Sequence, residues 1–112
     1  MRYFLSAAAR NESGSTAYFE FQKGAFKNKF WLPDSLYLSA ELFDRSGLGP
    51  LLRAALPKFA YFGVSRVTKR QWEAILRAAE QADDDTRAIV AELAPWATDC
   101  FSDRRVFHIL GL

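Results

Sequence analysis

The chain has 112 residues, of which 50% are hydrophobic and 25% are charged, and its formal net charge is +2 at pH 7. This length and composition predict a single domain over residues 1–112 with its own core, and they exclude a disordered, fibrous or low-complexity chain. The longest uncharged runs fall short of the roughly 18 apolar residues of a membrane helix, and the single cysteine, Cys100, excludes an intramolecular disulfide. We therefore expect a cytoplasmic protein without a membrane partner.

Segments rich in strand-forming residues lie at both ends of the chain. Residues Tyr3–Ala9 and Thr16–Gln22 flank the turn-forming cluster RNESGS, and together they predict an N-terminal hairpin. The segment AFKNKFW, residues 25–31, fits a third extended piece. The β-branched and aromatic residues of Val106–Leu110 predict a last strand that returns to the same sheet.

The middle of the chain predicts helices, with one ambiguity. The apolar spacing in residues 35–46 fits a strand as well as a helix, and we favour the helix because Asp34 can cap it and Gly47 can end it. The segment PLLRAAL, residues 50–56, predicts a short helix, because proline is tolerated in the first turn and Pro57 follows it.

The stretch RVTKRQWEAIL, residues 66–76, carries the clearest helix start. With Thr68 as the N-cap, Gln71 is placed to return a hydrogen bond, and Val67 and Trp72 are spaced to form a hydrophobic staple. An apolar stripe at helical spacing then predicts a core-facing helix of about four turns. The residues of this stripe are Trp72, Ile75, Leu76 and Ala79.

The acidic run Asp83–Asp85 predicts the end of that helix and the cap of a second one. Ile89, Val90 and Leu93 form the buried stripe of this second helix, and Pro95 is expected to stop or kink it. The predicted fold class is therefore α+β: an antiparallel sheet, built from the N-terminal hairpin and the C-terminal strand, with helices packed on one face.

Side chains able to carry out chemistry are few. Cys100 and His108 are the only thiol and the only imidazole, and without a third partner we expect a core cysteine and a strand histidine. A single histidine rules out the usual histidine metal clusters, and Asp83–Asp85 lacks the spacing of a calcium loop. The segment SGLGPLLR lacks the lysine of a phosphate-binding loop. The sequence therefore predicts no enzyme, no cofactor and no metal site.

Charge is distributed unevenly along the chain. Residues 57–70 combine four cations and three aromatic rings without an acid, which suits a nucleic-acid surface, although a net charge of +2 is small for a committed nucleic-acid binder. Residues 71–103 hold eight carboxylates against two arginines, a net charge of minus six. This excess predicts either an acidic surface that attracts a cationic protein or ordinary solvated helix faces. The cations are Lys58, Arg66, Lys69 and Arg70, and the aromatic residues are Phe59, Tyr61 and Phe62.

Residues 59–76, FAYFGVSRVTKRQWEAIL, place an aromatic pair, a glycine, a hydroxyl residue, Val-Thr-Lys and a tryptophan in succession, and the chain closes with FHILGL. This arrangement resembles small immunity proteins of bacterial contact-dependent growth inhibition and related polymorphic toxin systems. The resemblance implies a cytoplasmic protein without enzymatic activity, which neutralises a cognate toxin domain, commonly a nuclease, by binding it tightly. The resemblance does not assign a binding role to any particular residue of this chain.

These features together predict an inhibitor that occludes the active site or substrate channel of a toxin and contacts it through the acidic helices. The predicted partner-binding residues are Glu80, Asp83, Asp84, Asp85 and Glu92. The alternative is a small nucleic-acid-binding regulator that uses the four cations of residues 57–70. The sequence leaves the oligomeric state open.

Overall fold

The computed structural model describes residues 1–112 and has an α+β fold, with five helices and one four-stranded antiparallel sheet. The strands are β1 (Tyr18–Lys23), β2 (Leu36–Ser39), β3 (Val64–Thr68) and β4 (Val106–Leu110). The helices are α1 (Ala7–Ser13), α2 (Ala40–Arg45), α3 (Leu48–Ala55), α4 (Lys69–Ala79) and α5 (Asp84–Asp103). The strand order is β2-β1-β4-β3, so β2 and β3 form the edges. None of the helices is both long and apolar enough to cross a membrane.

The predicted start of α4 is confirmed. The Thr68 hydroxyl accepts a hydrogen bond from the backbone N–H of Gln71 at 3.2 Å, and the Gln71 side chain accepts one from the N–H of Thr68 at 2.9 Å. Val67 and Trp72 are both buried, as a hydrophobic staple requires. The helix has 11 residues, about three turns rather than four. Leu76 is exposed, because the buried stripe follows a narrower face of the helix.

The prediction of an N-terminal hairpin is wrong. The end of its predicted first strand, Ala7–Ala9, and most of its predicted turn form α1, because an alanine-rich segment behind a capping serine favours a helix. The Ser6 hydroxyl accepts a hydrogen bond from the N–H of Ala9. Only Leu5 pairs with the sheet, through two backbone hydrogen bonds to Tyr37 of β2 at 2.8 and 2.9 Å. The second half of the hairpin is β1, which pairs with β2 and β4 instead.

Residues 35–46 contain a strand and a helix, so a single helix there is wrong. Leu36–Ser39 form β2, and the Ser39 hydroxyl then caps α2 by accepting a hydrogen bond from the N–H of Leu42 at 3.1 Å. Asp34 therefore caps no helix. The strand spacing is therefore correct for the first half of the segment, and the helix spacing is correct for the second half.

Two other expectations differ from the structure. Residues 25–31 form no strand, and Asn28 and Trp31 within them have positive φ angles of 58° and 60°. Pro95 does not stop α5, which continues to Asp103. Ala91 and Pro95 are both exposed, so water can replace the hydrogen bond that the proline removes. Strand β3 was not predicted, whereas β4 has the predicted bounds.

The core lies between one face of the sheet and helices α2–α5. It is a single cluster of 22 buried residues, in which β1 supplies Phe19 and Phe21. Phe19 stacks on Phe43 of α2 with ring centroids 4.1 Å apart, and Phe21 meets Phe4 edge to face at 5.2 Å. Alternate residues of the strands therefore face these helices, as the period of two in β1 indicates.

The opposite face of the sheet is also covered, because Glu20 of β1 points there and is 3% exposed. Its carboxylate accepts hydrogen bonds from the N–H groups of Trp31 and Leu32, both at 2.8 Å, and from the hydroxyl of Ser35 at 2.7 Å. These bonds hold residues 24–35 over the strands as a loop. A buried carboxylate requires such partners, so the loop conformation follows from the position of Glu20.

Neighbouring contacts hold the same loop. Gln22 of β1 donates to the carbonyl oxygen of Lys29 at 2.8 Å, and the guanidinium of Arg10 lies over the ring of Trp31 at 4.3 Å. Burial, together with the charge of Glu20, raises the pKa of Tyr37 to about 12. The Tyr37 hydroxyl therefore stays protonated and donates to the carbonyl oxygen of Leu32 at 2.7 Å.

We expect the change Glu20→Ala to lower the free energy of unfolding by about 2–4 kcal/mol, because it leaves several buried donors without an acceptor. Urea unfolding followed by tryptophan fluorescence measures this loss, and Trp31 reports on release of the loop. The exposed Glu12 provides the control, since Glu12→Ala removes the same charge and is expected to change stability by less than about 0.5 kcal/mol. Equal stability of the two variants would contradict the role of Glu20.

Candidate protein-binding site

Cys100 and His108 lie on opposite sides of the sheet. Cys100 is fully buried under the helical face, its thiol donates to the carbonyl oxygen of Val106 at 3.3 Å, and burial raises the pKa of the thiol. His108 points to the other face, where its Nδ1 lies 2.8 Å from the carbonyl oxygen of Gly24. The two side chains therefore do not share a cleft. No group of three or more His, Cys, Asp or Glu side chains is placed to hold a metal ion.

Three of the five predicted partner-binding residues form an exposed surface at the turn between α4 and α5. Glu80 is the C-cap of α4, and Asp84 and Asp85 lie in the first turn of α5, where negative side chains also stabilise the helix. Asp84 forms an exposed ion pair with Arg87, whereas Glu80 and Asp85 have no ionic partner. We call the surface of Glu80, Asp84 and Asp85 the acidic tip.

Asp83 also lies at this turn, but its carboxylate is engaged within the fold. It accepts hydrogen bonds from the Thr86 hydroxyl at 2.6 Å and the Thr86 N–H at 3.1 Å, which hold the pKa of Asp83 below its usual range. The Thr86 hydroxyl in turn accepts a bond from the N–H of Gly47 at 2.8 Å. A Cβ at Gly47 would lie 2.6 Å from the Asp83 carboxylate and 2.9 Å from the Thr86 hydroxyl, so a larger residue there would displace these capping side chains. Asp83 therefore joins the starts of α3 and α5.

Glu92 does not belong to the acidic tip. It is half-buried, and its carboxylate accepts hydrogen bonds from the backbone N–H groups of Arg2, Tyr3 and Phe4 at 2.6, 2.9 and 2.6 Å. Burial alone would raise the pKa of Glu92, but these three bonds outweigh it and hold the pKa below its usual range. Glu92 thus anchors the N-terminal segment to α5. The sequence offers no local signal for this contact, since the partners lie 88 to 90 residues apart.

Other carboxylates of residues 71–103 are also paired. Asp99 pairs with Lys23, and Asp103 pairs with Arg104 at 3.2 Å. Glu73 is exposed without an ionic partner, on the same face of α4 as Leu76 and Glu80. The free negative charge is therefore smaller than the sequence total of minus six, and it is concentrated at the acidic tip, because Glu73 shares α4 with Lys69, Arg70 and Arg77.

The predicted cations lie around a groove beside the edge strand β3. This β3 groove has a volume of about 540 Å³. Its lining residues are Leu56, Pro57, Lys58, Phe59, Val64, Ser65, Arg66 and Gln71. Lys69 and Arg70 are exposed in the first turn of α4, directly after β3. The aromatic rings differ in exposure, since Phe59 and Tyr61 are half-buried whereas Phe62 is 80% exposed.

The chain was compared with family models, with curated proteins and with solved structures, and none of the three comparisons found a match.

We expect Glu92→Gln to lower the free energy of unfolding at pH 7 by about 1–3 kcal/mol, because an amide accepts the three N–H groups less well than a carboxylate. A depressed folded pKa means that the carboxylate stabilises the fold above the unfolded value of 4.5, and that this stabilisation is lost as the pH falls through the folded pKa. Urea unfolding between pH 7 and pH 3 measures the difference between wild type and variant, which should shrink below about pH 4.5.

The matched control is Glu73→Gln, since Glu73 is exposed and has no ionic partner. Its effect should be small at every pH. A stability difference for Glu92→Gln that stays constant down to pH 3 would contradict the anchoring role of the carboxylate.

Proposed function

We propose that this chain is a cytoplasmic, non-catalytic immunity protein that binds a cognate bacterial toxin domain, with nuclease activity, and occludes its active site or substrate channel. The observation that carries the proposal is the acidic tip, an exposed cluster of carboxylates at the turn between two helices. A nuclease that binds phosphates presents cations in its substrate channel, so the acidic tip has complementary charge.

The surface beside the acidic tip also supports protein binding. Leu76 is 37% exposed on the same face of α4 as Glu73 and Glu80, so an apolar side chain lies between two carboxylates. Leu76 also lines a groove between α4 and α5 together with Trp72 and Phe101. Buried apolar anchors carry most of the affinity of an interface, whereas charges at its rim accelerate association. The proposed contact surface is therefore Leu76 with the acidic tip around it.

The placement of the potentially reactive groups agrees with inhibition by binding. Cys100 and His108 lie on different faces of the sheet, so neither has the other as a catalytic partner. The segment that resembles immunity proteins, residues 59–76, forms β3 and most of α4. This segment therefore supports the helix that presents Leu76 and Glu80.

The first test is inhibition itself. The probe is the C-terminal toxin domain encoded next to the gene for this chain, assayed for nuclease activity with increasing amounts of the purified chain. We expect complete inhibition at a one-to-one ratio, with excess substrate slowing the inhibition if the substrate channel is occluded. Absence of such a neighbouring toxin, or full activity in the presence of the chain, would contradict the proposed function.

Charge reversal tests the contact surface. We expect the double change Glu80→Lys and Asp85→Lys to weaken toxin binding at least about tenfold, mainly through slower association and less so at high salt. Surface plasmon resonance at several salt concentrations measures both effects. Asp83 is left unchanged because it holds α3 against α5.

The matched control is the double change Glu12→Lys and Glu41→Lys, which alters the net charge equally. Both residues are exposed, and Glu41 lies in the first turn of α2 just as Asp85 lies in the first turn of α5. Equal affinity of the two double variants would eliminate the acidic tip as the contact surface.

A further inference from the structure

The backbone of β3 is unpaired along one edge of the sheet. The N–H of Gly111 donates to the carbonyl oxygen of Gly63 at 2.8 Å, and the N–H of Gly24 donates to that of Val106 at 3.0 Å. Because hydrogen-bonding pairs alternate in antiparallel ladders, Ser65 and Val67 bond to β4, and the polar groups of the intervening residues point away from the sheet. The intervening residues are Val64, Arg66 and Thr68.

Among the outward groups of the two edge strands, those of Val64 and Arg66 remain open. The N–H of Thr68 is bound by the side chain of Gln71 at 2.9 Å. At the opposite edge, Leu5 satisfies both backbone groups of Tyr37. Two donors and two acceptors of β3 therefore have no partner within the chain, in the pattern that an added strand would complete.

The β3 groove beside this edge has a definite chemical character. Lys58 and Arg66 line it, Lys69 and Arg70 follow directly after β3, and no acidic residue is among the lining residues. Val64 is 41% exposed, and Phe59 contributes apolar surface. The groove therefore combines unpaired backbone, positive charge and a small apolar area.

We propose that the β3 groove binds an extended acidic peptide segment of a partner protein, which pairs with β3 as an additional strand. Its backbone pairs with the open N–H and C=O groups of Val64 and Arg66. Side chains on the Arg66 side of the peptide place carboxylates near this cation, and the alternating apolar side chains lie on the opposite side of the strand, near Leu56 and Phe59 of the groove. This site is distinct from the acidic tip and goes beyond toxin binding there.

Two other occupants fit the groove less well. A second copy of the chain would pair β3 with β3 and bring the cations of both copies together, which is unfavourable at short distance. A nucleic acid would find the same cations, but its phosphates have no donors for the open carbonyl groups of Val64 and Arg66. One face of the Phe59 ring is also stacked on Phe43 at 5.9 Å between centroids, which reduces the aromatic surface that it offers to a base.

The direct test uses the intact chain and a synthetic peptide of about nine residues with alternating glutamate and valine, long enough to span β3. Fluorescence anisotropy measures binding, and amide hydrogen exchange locates it. We expect saturable binding and slower exchange of the Val64 and Arg66 amides. A peptide with lysine in place of glutamate should not bind, and equal binding of both peptides would overturn the proposal.

The change Val64→Pro removes one outward N–H without altering the charge, and proline is tolerated at an outward position of an edge strand. We expect it to weaken peptide binding at least about tenfold, with circular dichroism unchanged. Arg66→Ala should have a similar effect by removing a cation, whereas Arg77→Ala, an exposed arginine of α4, should have little effect. If Val64→Pro fails to fold, the proposal is tested by the affinity of Arg66→Ala for the peptide and by amide hydrogen exchange of the wild-type chain with and without peptide.

Three results would overturn the proposal. The first is tight binding of a single-stranded oligonucleotide, unaffected by Val64→Pro, together with no binding of the acidic peptide. The second is a dimer in which the Val64 and Arg66 amides are already protected without peptide. The third is loss of peptide binding in the double variant of Glu80 and Asp85, because the peptide must bind independently of the acidic tip.

Discussion

Glu20 lies in a central strand with its carboxylate turned into the protein, where an ionised group without partners would cost several kcal/mol. The donors that satisfy it come from Trp31, Leu32 and Ser35, so residues 24–35 must close over the sheet for the fold to be stable. This loop covers the second face across β2, β1 and β4. A sheet with helices on one side thereby becomes covered on both sides, except along β3, where Val64 and Arg66 are exposed.

This covering restricts where a partner can dock. One sheet face is buried under α2–α5, most of the other lies under the loop, and the edge at β2 is closed by Leu5. The β3 edge and the outer surface of α4 and α5 are among the surfaces that stay exposed. These two surfaces differ in charge, since cations surround the β3 groove and carboxylates form the acidic tip. Opposite charges at separate positions favour two partners of different chemistry over one surface that binds both.

The sequence predicted correctly those features that depend on interactions between residues close together in the chain. The capping box at Thr68 and the cap at Asp83 depend on neighbours within a few residues, and both are present. The bounds of β4 were also predicted, because its own β-branched and aromatic residues favour a strand. The hairpin failed because pairing partners in a sheet are chosen by the whole core: β1 pairs with β4, whose residues lie about 90 positions away in the chain. The alternation in β1 correctly placed Phe19 and Glu20 on opposite faces of the sheet. It could not show that a loop buries Glu20, because the hydrogen-bond donors to Glu20 are mainly backbone N–H groups, which have no sequence signal.

In the candidate site, too, the sequence showed which residues are charged but not which of them are hydrogen-bonded within the fold. Glu92 and Asp85 are equivalent in a count of charges along the sequence, yet Glu92 binds three backbone N–H groups and Asp85 is free at the surface. A charge whose hydrogen-bonding capacity is used within the fold has less to offer a partner, because binding would first have to break those bonds. The same reasoning applies to the backbone, where Thr68 is satisfied by Gln71 and Val64 is not. Unfilled hydrogen-bonding capacity, rather than net charge, therefore distinguishes the surfaces of this protein that are free to bind from those that maintain its fold.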